Sequence, residues 1–158
     1  MKIVRVTPQN LWRLQNIERT PNPDVWTNEA EQFLFDGRAV AILRNKGTIM
    51  LASEANGLDA ADPQRFVGVA ISYDDARYNE TNRLGSLAVD HRFRGKGIGR
   101  ALFVALLEEA LRAQPYALWL VHAENVPMLE LSRSTPRVAA EVFTSDGHIQ
   151  FFAERPDE

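Results

Sequence analysis

Leu87-Ala88-Val89-Asp90-His91-Arg92-Phe93-Arg94-Gly95-Lys96-Gly97-Ile98-Gly99-Arg100-Ala101-Leu102 reads as a short apolar strand, a turn rich in glycine and cations, and the start of an amphipathic helix. Glycines let backbone N–H groups converge with no side chains between them, and the following helix adds the positive end of its dipole at the same place. The product is a cradle for an anion, best suited to phosphate or pyrophosphate. Arg94, Lys96 and Arg100 add positive charge beside it. Glycine is also the default turn residue, so Gly97 and Gly99 alone fit an ordinary tight turn equally well.

Spacing separates three phosphate-binding patterns. Counted from Gly95, the last glycine of G-x-G-x-x-G would fall on Arg100, and the acidic residue due about 20 positions on meets the apolar run Leu118–Val121 instead. No Gly-Lys pair is followed by the Ser or Thr of a G-x-x-x-x-G-K-[ST] loop. What fits is R-x-x-G-x-G at Arg94, Gly97 and Gly99, preceded by Leu-Ala-Val on a strand and followed by Ala-Leu in a helix. This stretch resembles the cofactor motif of the GNAT superfamily of N-acetyltransferases. The resemblance implies that Arg94, Gly95, Lys96, Gly97, Ile98, Gly99 and Arg100 hold the pyrophosphate of acetyl-coenzyme A (acetyl-CoA). It also implies that Leu87, Ala88 and Val89 hold the pantetheine arm and the thioester carbonyl.

Composition bounds the remaining classes. At 158 residues the chain is long enough for one domain with a proper core and too short for two ordinary ones, so residues 1–158 are expected to form one unit. A hydrophobic fraction of 45% with 25% charged residues is that of a globular protein. A net charge of −3 argues against general nucleic-acid binding, which favours a basic face. No apolar run approaches the length of a membrane span. The absence of cysteine removes disulfides, thiolate metal sites and a cysteine nucleophile, and a cytoplasmic location is the default expectation. No metal is expected.

Periodicity gives the framework. Lys2–Val6 predicts a first strand, and Thr7-Pro8 an N-cap and first helical residue for a helix reaching Glu18. A second helix is expected over Thr27–Phe35, and residues 37–45 lean towards helix. Thr48–Glu54 and Arg65–Tyr73 read as antiparallel strands joined by a long acidic connection, and Tyr78–Asn82 as a polar loop leading into the strand Leu84–Val89. The helix Ile98–Arg112 has an apolar stripe and pairs Glu108 with Arg112 at i,i+4. Ala117–His122 reads as a buried strand, and Val138–Phe143 and His148–Ala153 as a hairpin across Ser145-Asp146-Gly147. The fold class is therefore α/β (α+β): a mixed sheet of about seven strands flanked by helices on both faces. This is the GNAT order, and the resemblance implies that strands 84–89 and 117–122 splay apart to admit the pantetheine. Asn125, before Val126-Pro127, fits an N-cap, and the resemblance places it beside the cofactor arm.

The chain also departs from the family. Many members carry a Tyr seven residues after that Asn, where it protonates the departing thiolate; here the position is Ser132. A hydroxyl there could hydrogen-bond the sulfur, and a thiol of pKa about 8.5 needs little acid assistance. Family bases lie six or four residues before the strand's Val, positions held here by Arg83 and Gly85. Neither is a base at neutral pH. Asp74, Asp75 and Glu80 could drain the proton or attract a cationic amine, and His122 is the histidine expected nearest the cleft. His91 and His148 read as surface or hairpin residues.

The expected activity is acetyl transfer from acetyl-CoA to an amine acceptor, a small molecule or a peptide, directly within a ternary complex. Arg83 and Glu80 are the expected acceptor contacts, and Ser132 the catalytic hydroxyl. The alternative is a degenerate fold that binds acetyl-CoA as a sensor or interaction module. The sequence leaves room for a homodimer, and fixes neither the acceptor nor the acyl chain.

Overall fold

The computed structural model describes residues 1–7, 42–44, 47–53 and 66–156, with the side chains of Ser86 and His91 excepted. The helices expected over residues 8–18 and 27–35 and the acidic connection at 55–64 lie outside the described residues. Residues 42–44 are helical, as the lean over 37–45 anticipated.

Seven strands form one sheet: β1 (Lys2–Arg5), β2 (Thr48–Ser53), β3 (Phe66–Asp74), β4 (Thr81–Val89), β5 (Tyr116–His122), β6 (Val138–Phe143) and β7 (His148–Glu154). Their spatial order is β1-β2-β3-β4-β5-β7-β6. Every neighbouring pair is antiparallel except β4 and β5, so the sheet is mixed. Helix α1 (Ile98–Ala113) lies in the crossover between these two parallel strands, and α2 (Val126–Arg133) follows β5.

Helix α1 packs one face of the sheet. Its buried stripe is Ile98, Leu102, Phe103, Leu106, Leu107, Ala110 and Leu111, set against Met50, Leu84, Trp119 and Phe151. On the other face Val6, Ile42, Ile49, Leu51, Val69 and Ile71 form a second cluster. Alternation along β3 divides the two, with Ala70 in the first and Val69 and Ile71 in the second. Fully burying side chains of this size stabilises by roughly 1.5–3 kcal/mol each, which fixes the register of the central strands.

Two expectations need correction. The segment expected as a loop up to Asn82 ends earlier, because β4 begins at Thr81. Thr81 and Asn82 are buried yet satisfied: the Asn82 amide donates to the Ala110 carbonyl (3.2 Å), and the Gln114 amide donates to the Asn82 side-chain oxygen (3.3 Å). Polar residues can thus extend a strand when a helix end supplies their partners. Arg112 pairs with Glu109 at i,i+3 instead of Glu108, and Glu109 also meets Arg5 at 3.1 Å. The β6–β7 hairpin turns where expected, with Gly147 left-handed (φ 85°). There the Thr144 hydroxyl, and after it His148, hold the Asp146 carboxyl below the usual carboxylate range.

Candidate active site

The site begins with a fault in the sheet. Strands β4 and β5 pair only from Thr81–Tyr116 to Arg83–Leu118. Beyond that rung the β5-facing edge of β4, from Leu84 to Val89, has no strand partner among the described residues. A register shift against β3 falls at the same place: Ser72 opposes Leu84, and Ile71 opposes Ser86, so Gly85 is the extra residue. Such a bulge bends the strand and increases its twist, which turns β4 away from β5.

A cavity of about 660 Å³ opens into this wedge. Leu84, Gly85, Leu87 and Val89 line one side and Trp119 and Leu120 the other, with Phe103 and Leu106 of α1 beneath. Trp119 forms the floor. Its ring stacks on Phe151 (5.7 Å, 12°) and meets Phe103 edge-on (5.2 Å, 75°), so the wall is rigid.

At the mouth stands the glycine turn. Asp90 is buried and organises it: its backbone N–H donates to Val67 (2.8 Å), and its carboxylate accepts from the backbone N–H (3.0 Å) and the guanidinium (2.6 Å) of Arg92. A short 3-10 turn, His91–Phe93, follows. Arg94 donates from Nε to the Val89 carbonyl (3.2 Å), which holds its guanidinium over the end of β4. Gly97 is the N-cap of α1 and sits at φ 80°, a conformation that favours glycine. No side chain caps the helix, and its first turn carries no acid. The first N–H groups of α1 therefore face the mouth with the helix dipole behind them. Arg94 and Arg100 line the same end of the cavity. A Cβ placed at Gly97 would meet nothing within 4 Å, so the space over the turn is open. Donors, charge and room all fit a pyrophosphate.

Several of the expected site residues share one cavity. Leu87, Val89, Arg94, Gly95, Gly97, Ile98, Gly99, Arg100 and Asn125 all line the cavity. Asn125 caps α2, its side-chain oxygen accepting from the Met128 N–H (3.3 Å). Others do not. The side chain of Ala88 packs on the second cluster, behind the strand, so only its backbone can meet the cleft. Lys96 sits over the Phe93 ring (5.3 Å) and does not line the cavity. Ser132 is fully buried, and its hydroxyl accepts from the Trp119 indole N–H at 2.9 Å. It is absent from the cavity wall, so the expectation of a catalytic hydroxyl there is corrected to a structural one.

The expected acceptor residues lie elsewhere again. Arg83 occupies the last paired rung of β4 and reaches Asp75 at 3.9 Å. Asp75 is buried, and its carboxylate also accepts from the N–H groups of Arg77 (2.8 Å) and Tyr78 (3.2 Å), which makes it the organiser of the β3–β4 turn. Asp74 accepts from Gln114, and Glu80 is an exposed left-handed turn residue (φ 55°). Neither lines the cavity. His122, the histidine that could have faced the cleft, meets His148 edge-on (5.2 Å) and does not line the cavity. Among the described residues no group of three or more His, Asp or Glu is placed to hold a metal ion. Sequence reading missed Trp119, Phe103 and Met128 as cleft walls, because apolar residues at helix and strand spacing read only as core.

A wedge in a mixed sheet, closed by an uncapped glycine helix start, defines an acyl-CoA-type transferase fold. Residues 11–133 match the model of the acetyltransferase (GNAT) family, and the chain belongs to that family. Among curated proteins, none matches it by sequence. Solved structures resemble it over nearly its whole length. An acetyltransferase of the GNAT family from Staphylococcus aureus Mu50 matches at TM-score 0.61 and 12% identity, covering 98% of this chain and 99% of that one. The ribosomal-protein-alanine N-acetyltransferase of Brucella melitensis matches at 0.60 and 20%, covering 96% and 97%. The yncA protein of Salmonella typhimurium, solved with its cofactor acetyl-CoA, matches at 0.59 and 20%, covering 100% and 95%.

Proposed function

We propose that the protein transfers an acetyl group from acetyl-CoA to an amine acceptor, directly within a ternary complex. The observation that carries this reading is the coincidence of two features in one cavity. At its mouth is the uncapped start of α1, with Arg94 and Arg100. Along its wall is the unpaired edge of β4. The first suits a pyrophosphate; the second offers backbone groups to an extended amide-bearing arm, as a sheet edge does to an added strand. Support also comes from the solved neighbours, one bound to acetyl-CoA and one named for N-acetylation of a protein alanine. The chain has no cysteine to carry an acyl group, so the acceptor attacks the thioester itself. Proximity and backbone N–H stabilisation of the oxyanion supply most of the acceleration.

A second reading has its own observation: among the described residues, those lining the cavity include no carboxylate, imidazole or phenol. On that ground the chain would bind acetyl-CoA as a sensor and catalyse little. Acceptors of the transferase are small amines or peptides, and the protein works in the cytoplasm, as a monomer or a homodimer.

Two measurements test these readings together. Acetyl-CoA should raise the melting temperature, as linkage requires, while pantetheine, which lacks the pyrophosphate, should do so far less. Free thiol should appear when acetyl-CoA is mixed with a panel of amines. Equal shifts for the two ligands would refute the cradle. A large acetyl-CoA shift with no thiol released by any amine would establish the sensor.

A further inference from the structure

A second cavity, of about 620 Å³, opens between α1, the turn that follows α2 and the segment that follows β7. Its volume is that of a pocket for a small organic ligand. Val104, Leu107, Leu111 and Leu131 give it an apolar lining, and Val104 is 43% exposed in mid-helix. Four arginines, Arg100, Arg112, Arg137 and Arg155, line it too, against one acid on the described wall, Glu108. A chain of net charge −3 thus gathers basic charge about an apolar hollow. Most polar groups of the wall are engaged elsewhere. Arg155 donates to the carbonyls of Leu111 (2.6 Å) and Arg112 (3.1 Å) and so closes the end of α1, and Arg112 pairs with Glu109. Ser134 and Thr135 both donate their hydroxyls to the Leu131 carbonyl (2.9 Å each). Arg100 and Arg137 differ. Their side chains have no hydrogen bond or ion pair among the described residues. An unpaired guanidinium beside an apolar wall is a fork of donors suited to a carboxylate or a phosphate.

We propose that this cavity is a second ligand site, for a small molecule with an apolar body and an anionic head, carboxylate or phosphate. The body packs on Val104, Leu107 and Leu111, and the head pairs with Arg137 and Arg100. Arg100 also lines the donor cleft, at the end that suits the pyrophosphate, and Leu131 lines both cavities. One guanidinium cannot serve two anions at full strength, and the anions repel each other across it. The ligand therefore weakens acetyl-CoA binding, and acetyl-CoA weakens the ligand by the same factor. The second cavity acts as a brake on the first. That coupling rests on the acetyl-CoA reading above; the ligand site itself does not.

Phenylbutyrate and phenyl phosphate are the probes, with uncharged phenylbutanol as the control. Either anion should raise the melting temperature of the protein in the absence of acetyl-CoA, and the alcohol should do so far less. Arg137→Ala should weaken both anions about tenfold, as the loss of a charge-assisted hydrogen bond does. Val104→Trp fills the hollow from an exposed position and should abolish their binding. Without a probe, both variants should bind acetyl-CoA as the wild type does. Saturating phenylbutyrate should raise the acetyl-CoA Kd of the wild type about fivefold or more, and leave that of Val104→Trp unchanged. Failure of both anions to bind, or equal binding by wild type and variants, overturns the site. An acetyl-CoA Kd that ignores bound phenylbutyrate overturns the coupling. The last arm is the nucleotide half of coenzyme A, an adenosine bisphosphate without pantetheine. A melting shift from it that Arg137→Ala removes would give the cavity to the donor and overturn a separate ligand. Probes that bind as expected to a protein that ignores acetyl-CoA would uphold the site while striking the transferase reading.

Discussion

Ser132 shows how one hydroxyl can serve the site without touching the chemistry. Trp119 must present a flat apolar wall at the cleft floor, yet its indole N–H is buried and needs an acceptor. Ser132 supplies it from α2, so the helix and the wall are locked together. Ser132→Ala leaves that N–H without its partner, which costs about 1–3 kcal/mol, or roughly 2–10 °C in melting temperature for a domain of this size. Turnover at saturating substrates should hold near the wild-type value, because the ring remains clamped between Phe103 and Phe151. Calorimetry with parallel kinetics checks both halves. A tenfold loss of kcat with no loss of stability would return the hydroxyl to the reaction.

At the scale of the element, the start of α1 was the most legible part of the chain. Arg94, Gly97 and Gly99 announce an anion turn by residue type and spacing alone, and the structure adds that Gly97 is left-handed and that no side chain caps the helix. Gly99 differs from Gly97: it lies inside the first helical turn, where an added Cβ would make only ordinary contact with Val89 (3.6 Å). Gly99→Asp should therefore hold or raise the stability of the free protein by about 0.3–1 kcal/mol, since an acid near a helix N-terminus meets the positive end of the dipole. The same carboxylate should abolish the acetyl-CoA melting shift by competing for the N–H groups and repelling phosphate. A free protein as stable as wild type that still binds acetyl-CoA would remove the cradle from this turn. What stayed illegible has a common cause. The bulge at Gly85, the polar start of β4 and the engagement of Ser132 all depend on neighbours far away in sequence: Tyr73, Ala110 and Trp119. Local pattern carries no trace of a partner from another element, and a polar residue reads as solvated until its partner is seen.

At the scale of the whole molecule, the described strands form a sheet that opens between β4 and β5. The cleft lies where α1 packs, at the wedge beyond the Arg83–Leu118 rung. Arg83 stands at the apex of the wedge and shares its face with Tyr73, because directly opposed residues on neighbouring strands point the same way. We propose that its guanidinium receives a carboxylate on the acceptor, whose amine then lies towards the thioester. The 3.9 Å approach of Asp75 holds Arg83 in place without the short bidentate contact that would consume its fork of donors. Asp75 keeps two backbone donors and Arg77 when Arg83 is removed, so Arg83→Ala should fold normally. The variant should raise the acceptor KM for amino acids and peptides about 10- to 100-fold, the equivalent of a lost charge-assisted hydrogen bond, and spare polyamines. Acetyl-CoA affinity should not change, since Arg83 lies outside the donor cavity. Measuring KM for both acceptor classes decides the matter. If polyamines are the better substrates and the substitution leaves both classes untouched, the acceptor's carboxylate site is not at Arg83.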